Sequence, residues 1–159
     1  MFRRILYFAI SACAVGLDQF AKALARSYLK PGGGAKDIPL IKGVFSLSYV
    51  ENPGMAFGFL KDARWLFISL SIAVTLVIIW AVARLNPRKT WFMLGLSFVL
   101  GGAVGNLIDR VFSGYVVDFF YFRLINFPVF NLADSFVTAG AVMLGIYFVF
   151  FERNKRIFY

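Results

Sequence analysis

Residues Gly101–Ser135 read GGAVGNLIDRVFSGYVVDFFYFRLINFPVFNLADS. Two carboxylates, Asp118 and Asp134, stand among its aromatic and aliphatic residues, each beside an apolar run of membrane length. An ionisable side chain in that setting is costly and by default marks a functional site. The stretch therefore points to a bundle of membrane-spanning helices with its chemistry at one end.

Working outward, the composition agrees. The chain has 159 residues, 60% of them hydrophobic, and a mean hydropathy of +0.76, whereas soluble domains are about 45–50% apolar. The length suits one membrane domain, residues 1–159, rather than several. The net charge is +9. In a soluble protein that surplus would suggest nucleic acid; here the basic residues fall mainly between apolar runs, where they orient helices, and no nucleic-acid partner is expected. The single cysteine, Cys13, lies in an apolar run and is assigned to packing. There is no histidine, which removes Ser-His and Cys-His catalysis and argues against a zinc site. No metal or other cofactor is expected.

Four runs are long enough to span a bilayer: about 5–26, 65–84, 91–110 and 132–151. The first follows Arg3 and Arg4 as a signal peptide would. It lacks a clean cleavage site and carries Asp18, Gln19 and Lys22, so it reads as a retained helix. Asp18 and Lys22 are spaced i,i+4 with the acid first, the better order for an ion pair, and are expected to brace the bundle. After the turn at 31–34, residues Val44–Val50 alternate, with Phe45, Leu47 and Tyr49 on one side and Ser46 and Ser48 on the other, which is strand periodicity. Pro53-Gly54 suits a tight turn, and an asparagine placed like Asn52 commonly bonds its own backbone there. The expected fold is all-α with four transmembrane helices and a small β-rich extramembrane segment, about 36–60, on the bilayer. Gly101 and Gly105 form a small-xxx-small pattern that lets helices approach closely.

Basic clusters give the topology. Arg3/Arg4, Arg84/Arg88/Lys89 and Arg153/Lys155/Arg156 fall on one side if four helices cross, and positive residues favour the cytoplasm. Both termini are predicted to be cytoplasmic, with Asp118 and Asp134 meeting at the outer interface. Two acids held close share a proton rather than both ionising. One can then take a proton from water while the other donates one. On spacing alone, three roles stay open for them: helix-end anchors stabilised by the helix dipole, a proton relay, or a catalytic pair. Asn106, Asp109 and Arg110 lie within about one turn of helix. Arg110 can neutralise Asp109, or orient a carboxylate or substrate carbonyls. Asn131, three residues before Asp134, can cap the fourth helix.

DQFAK (Asp18–Lys22), ENPGMAFG (Glu51–Gly58), GNLIDR (Gly105–Arg110) with VVDF (Val116–Phe119), and FNLADS (Phe130–Ser135) occur in this order. In these motifs the chain resembles the bacterial lipoprotein signal peptidases, signal peptidase II, over essentially its full length. The resemblance implies an aspartic endopeptidase of the bacterial inner membrane, active toward the outer face; a monomer is expected, with the Gly101/Gly105 pattern packing within one chain. Its implied substrates are lipid-modified prolipoproteins, cut just before the diacylglyceryl cysteine, and its implied inhibitor is globomycin. It implies Asp118 and Asp134 as the catalytic pair. Asp18, Lys22, Asn52, Gly54, Asn106, Asp109, Arg110 and Asn131 are the implied supporting and substrate-binding positions. Pro53 and Met55 depart from many relatives, which carry Thr and Ala there. Phe57 and Phe59 are expected to touch membrane lipid or substrate. The competing class is a proton-coupled membrane carrier using Asp18, Asp109, Asp118 and Asp134 as its path.

Overall fold

The computed structural model describes residues 2–30, 32, 34–54 and 64–151. Among these, four helices are long and apolar enough to cross a membrane. They are α1 (Phe2–Leu29), α2 (Arg64–Arg84), α3 (Thr90–Phe112) and α4 (Leu132–Phe150). The expectations for Phe57 and Phe59, for part of the turn at 31–34 and for the basic tail lie outside the described residues.

Each helix follows from its side-chain pattern. In α1 the buried residues are Tyr7, Ser11, Ala14, Asp18, Lys22, Ala25 and Leu29, one stripe recurring every three or four residues. Asp18 and Lys22 belong to that inward stripe. Cys13 lies off it and is exposed, so the packing role expected from its apolar setting does not hold: in a membrane helix apolar residues also cover the lipid-facing side. α2 carries exposed Leu70, Ile72, Leu76 and Val77, as a lipid-facing helix should. α3 is central and packs against the other three helices. Its glycines make that possible. A Cβ on Gly101 would stand 2.6 Å from Ala14 Cβ of α1, and one on Gly102 would stand 2.3 Å from the Ala133 carbonyl of α4.

Three antiparallel strands form a small sheet in the order β1 (Asp37–Ile41), β2 (Phe45–Asn52), β3 (Val116–Phe122). β3 was not expected, because VVDFFYF shows no apolar–polar alternation in the sequence. Pairing with β2 makes it a strand. Its register runs Leu47↔Phe120 and then Val50↔Asp118, so two residues of β2, Ser48 and Tyr49, oppose Phe119 alone. The expected alternation survives this bulge: Leu47 and Tyr49 join one apolar core, while Ser46, although buried, accepts from Arg123 and Ser48 donates to Asp37, the partner of Arg123. Gly114, at φ 84°, takes the left-handed turn that reverses the chain from α3 into β3.

Two apolar cores result. One, away from the sheet, joins Tyr7, Val82, Phe92, Met93, Leu100 and Tyr147. The other joins Ala25 and Leu29 to Tyr49, Val117 and Phe119. Along α1, Asp18 and Lys22 fall between them, in a buried polar layer.

Candidate active site

The polar layer starts at Lys22, which is fully buried. An ammonium has three N–H donors and no acceptor. Here Nζ meets Asp18 Oδ2 at 2.8 Å, Asp109 Oδ2 at 2.9 Å and Asn106 Oδ1 at 2.9 Å. Asp18 Oδ1 also accepts from the Ala133 backbone N–H in the first turn of α4. Asp109 accepts from Arg26 and from the Val117 N–H. Two buried acids and two bases thus neutralise one another and fasten α1, α3, α4 and β3 together, as buried charges require.

The Asp109 carboxylate is therefore held by Lys22 and Arg26. Arg110 instead lines the cavity described below, with its guanidinium 5.4 Å over the Phe67 ring. Sequence reasoning missed Arg26. Its signal was available: 18, 22 and 26 are successive i+4 positions on one helical face.

Above this layer lie the two aspartates. Asp118, on β3, is buried. Asn52 Nδ2 donates to its Oδ2 at 2.9 Å, and Asn131 Nδ2 donates to its Oδ1 at 2.7 Å. Asp134 lies in the first turn of α4. Asn106 Nδ2 donates to its Oδ1 at 2.8 Å and the Asn131 N–H donates to its Oδ2 at 3.2 Å. Asn131 is the N-cap of α4, and Asp134 completes a capping box with it. One asparagine thus touches both carboxylates. The Gly54 N–H donates to Asn52 Oδ1 at 3.0 Å, the turn expected for that asparagine. Lys30 at the end of α1 donates to Glu51 at 2.5 Å, which ties the end of β2, and hence Asn52, to the bundle. This latch was not read from the sequence. Ser135 Oγ donates to the Asn131 carbonyl and so bonds backbone.

Burial pushes the Asp118 carboxyl up to about 7, and the nearby Asp134 adds to the rise, while the Asn52 and Asn131 donors and the Lys22 charge oppose it. Both aspartates face one cavity of about 820 Å³. Its polar end is Asn52, Asn106, Arg110, Asp118 and Asp134. Its apolar wall is Phe122, Ile125, Phe127, Val129 and Phe130, facing Thr138 and Ala139 of α4. Asp18, Lys22 and Asp109 brace from beneath; Asn52, Gly54, Asn106, Arg110, Asp118 and Asp134 line the cavity, and Asn131, fully buried, lies behind the two aspartates that it bonds.

The fold is a four-helix bundle that carries an asparagine-bridged aspartate pair at the head of an apolar-walled cavity. The family model described as signal peptidase (SPase) II matches residues 10–150, and the chain belongs to that family. Relatives named lipoprotein signal peptidase include one from Brevibacillus brevis, 46% identical over 94% of this chain and 98% of its own length. Another, from Clostridioides difficile, is 44% identical over 96% of this chain and 100% of its own. A solved bacterial membrane enzyme superposes with a TM-score of 0.83 at 25% identity, covering 96% of this chain and 94% of that one.

Proposed function

We propose that this chain is a membrane aspartic endopeptidase that removes signal peptides from diacylglyceryl-modified prolipoproteins, cutting just before the lipidated cysteine. The observation that carries the reading is the bridged pair: Asn131 bonds Asp118 through its side chain and Asp134 through its backbone, and both acids open onto one apolar-walled cavity. With one proton shared by the pair, the ionised carboxylate takes a proton from a bound water as its oxygen attacks the scissile carbonyl. The protonated carboxyl gives its proton to the carbonyl oxygen. Collapse of the tetrahedral intermediate then passes a proton to the leaving amine. Apolar walls keep bulk water away and suit the acyl chains of a substrate entering from the bilayer. Arg110 supplies positive charge at the cavity's polar end.

The enzyme sits in the bacterial inner membrane with its site toward the outer face and works as a monomer. Gly95, Gly101, Gly102, Gly105 and Gly140 are each occupied by a helix of the same chain, so the glycine faces are used within one molecule. Globomycin is the inhibitor this reading implies. A proton-coupled carrier fits less well, because the buried carboxylates of the described residues gather at the sheet end of the bundle.

Purified protein should cleave a diacylglyceryl-modified prolipoprotein, and globomycin should block it. Asp118→Asn and Asp134→Asn should each lower kcat by roughly 10²–10⁴-fold, since each removes a participant in the same proton transfers. Cleavage that persists in both variants removes the pair from the mechanism. A parent protein that cleaves nothing counts against the peptidase reading.

A further inference from the structure

Three asparagine amides aim at the aspartate pair, and each has its oxygen held by a group that can only donate. Asn52 Oδ1 accepts from the Gly54 N–H. Asn131 Oδ1 accepts from the Asp134 N–H. Asn106 Oδ1 accepts from Lys22 Nζ and from Asn131 Nδ2. An amide whose oxygen is so held must turn its NH₂ the other way. The consequence is that Asp118 and Asp134 receive an N–H on all four carboxylate oxygens. Two of the locks are backbone groups, and no side-chain substitution removes them. The lock on Asn106 rests on two side chains, Lys22 and Asn131.

We infer that Lys22 is a positioning residue for the reaction, acting through Asn106: its ammonium, the charged and shorter of the two donors to that amide's oxygen, holds the amide so that the NH₂, and not the carbonyl, faces Asp134. This rests on the peptidase reading above. If the amide turned over, its oxygen would confront Asp134 Oδ1. Two acceptors cannot bond, so Asp134 would have to hold the pair's proton on that oxygen, away from substrate. Bracing alone would not demand a lysine that reaches Asn106. Asp18 and Asp109 could be satisfied by other donors, but Nζ spends its third proton on the amide. The charged groups facing Lys22 are Asp18 on its own helix and Asp109 on α3, the latter shared with Arg26. Asp134 of α4 is reached through Asn106, and the Lys22 charge is also felt at Asp118 of β3.

Lys22→Met alone would strand a buried Asp18, so the test uses charge-balanced pairs. Asp18→Asn/Lys22→Met removes both the donor and the charge. Asp18→Asn/Lys22→Gln keeps an N–H donor without the charge. Diacylglyceryl-prolipoprotein cleavage by each, in the full chain, should show kcat for the Gln pair on the order of tenfold or more above the Met pair at similar KM. Equal kcat for the two pairs would mean that Lys22 acts by charge or bulk, and would overturn the inference. Asn106→Asp gives an independent reading with Lys22 still in place. It presents an oxygen where the NH₂ stood, as a reversed amide would. Its kcat should fall by about tenfold or more at neutral pH, with the optimum moved to lower pH, where the added proton restores a donor. Full activity at an unmoved optimum would also overturn the inference. Parent cleavage and its loss in Asp118→Asn test the peptidase reading separately.

Discussion

Asp118 accepts two amide donors, each favouring its ionised form, yet burial outweighs them and its carboxyl stands at about 7 rather than the ordinary 3.8. Under the proposed mechanism that sign governs activity, because a pair holding one proton can serve as acid and base together. Above about pH 7 the proton leaves, so kcat/KM should fall by about tenfold per pH unit on the basic limb. The same shift bears on stability. Between 3.8 and about 7 the folded protein holds a proton that the unfolded chain has released, so this group's contribution falls as pH rises through that window. Asn52→Ala removes a donor that favours the ionised carboxylate. The basic limb should then move to higher pH while the maximal rate drops, and a pH–rate profile of the variant beside the parent checks both. A limb that stays in place would mean Asn52 serves only the turn with Gly54. Asn52 and Asn131 were legible residue by residue, as a turn residue and a cap. What the sequence could not show is that both side chains bond Asp118, because the turn and the cap belong to elements far apart in the chain.

At the scale of elements, the site depends on how closely α3 approaches its neighbours. The Gly101/Gly105 spacing announced a close face, and that face is met by Ala14 and Asp18 of α1. Gly102, one residue on, faces α4 instead. Its missing Cβ would collide with backbone, the Ala133 carbonyl, and with Val137, so α4 would have to move. Gly102→Ala should therefore cost about 1–3 kcal/mol, the range for overpacking, and should also lower activity, because Ala133 adjoins Asp134. Gly16→Ala is the contrast: nothing lies within 4 Å of its Cβ position inside α1, and it should stabilise by about 0.5–1 kcal/mol, the helix-interior preference for Ala over Gly. Thermal melts in detergent together with cleavage rates separate the two. Equal melts would show that the helices shift without penalty. The sheet makes a second such joint. Arg123, just past β3, donates to Ser46 Oγ at 2.8 Å and pairs with Asp37 of β1, whose carboxyl the arginine holds down at about 2. It sits at the start of the segment whose Ile125, Phe127 and Phe130 wall the cavity. An exposed pair of this kind contributes little to stability, because solvent screens it. Arg123→Ala should accordingly leave the melting temperature nearly unchanged but raise KM for a lipidated substrate, with kcat little altered. An unchanged KM would mean the wall holds its place without the clamp. None of this joint was readable from sequence, since β3 becomes a strand only through pairing with β2.

Across the whole molecule, the helices were the most legible part, because length and apolar content suffice to place them. The end of the bundle where the carboxylates gather was legible too, from where they fall along each run. Structure adds which end the basic clusters occupy. The Arg4 guanidinium reaches the Leu85 carbonyl at 3.4 Å and the Tyr7 hydroxyl donates to the Pro87 carbonyl at 3.1 Å. Arg3, Arg4, Arg84, Arg88 and Lys89 therefore gather at the end opposite the aspartate pair. Positive residues near short connections favour the cytoplasmic side, and the connection between α2 and α3 is short, from Arg84 to Thr90. The orientation we propose on this ground puts the sheet outside. Lys42, in the exposed β1–β2 turn, weighs little against it, because the segment joining α1 to α2 is long. Replacing Cys13 by Ser and introducing Lys42→Cys or Lys89→Cys, one at a time, reads the orientation directly. In intact cells whose outer layer is permeable to it, a membrane-impermeant maleimide should label the Lys42→Cys protein. It should reach the Lys89→Cys protein only after the inner membrane is opened. The reverse pattern would turn the molecule over, placing the aspartate pair in the cytoplasm, where a substrate exported with its signal peptide still in the bilayer could not present its cleavage site.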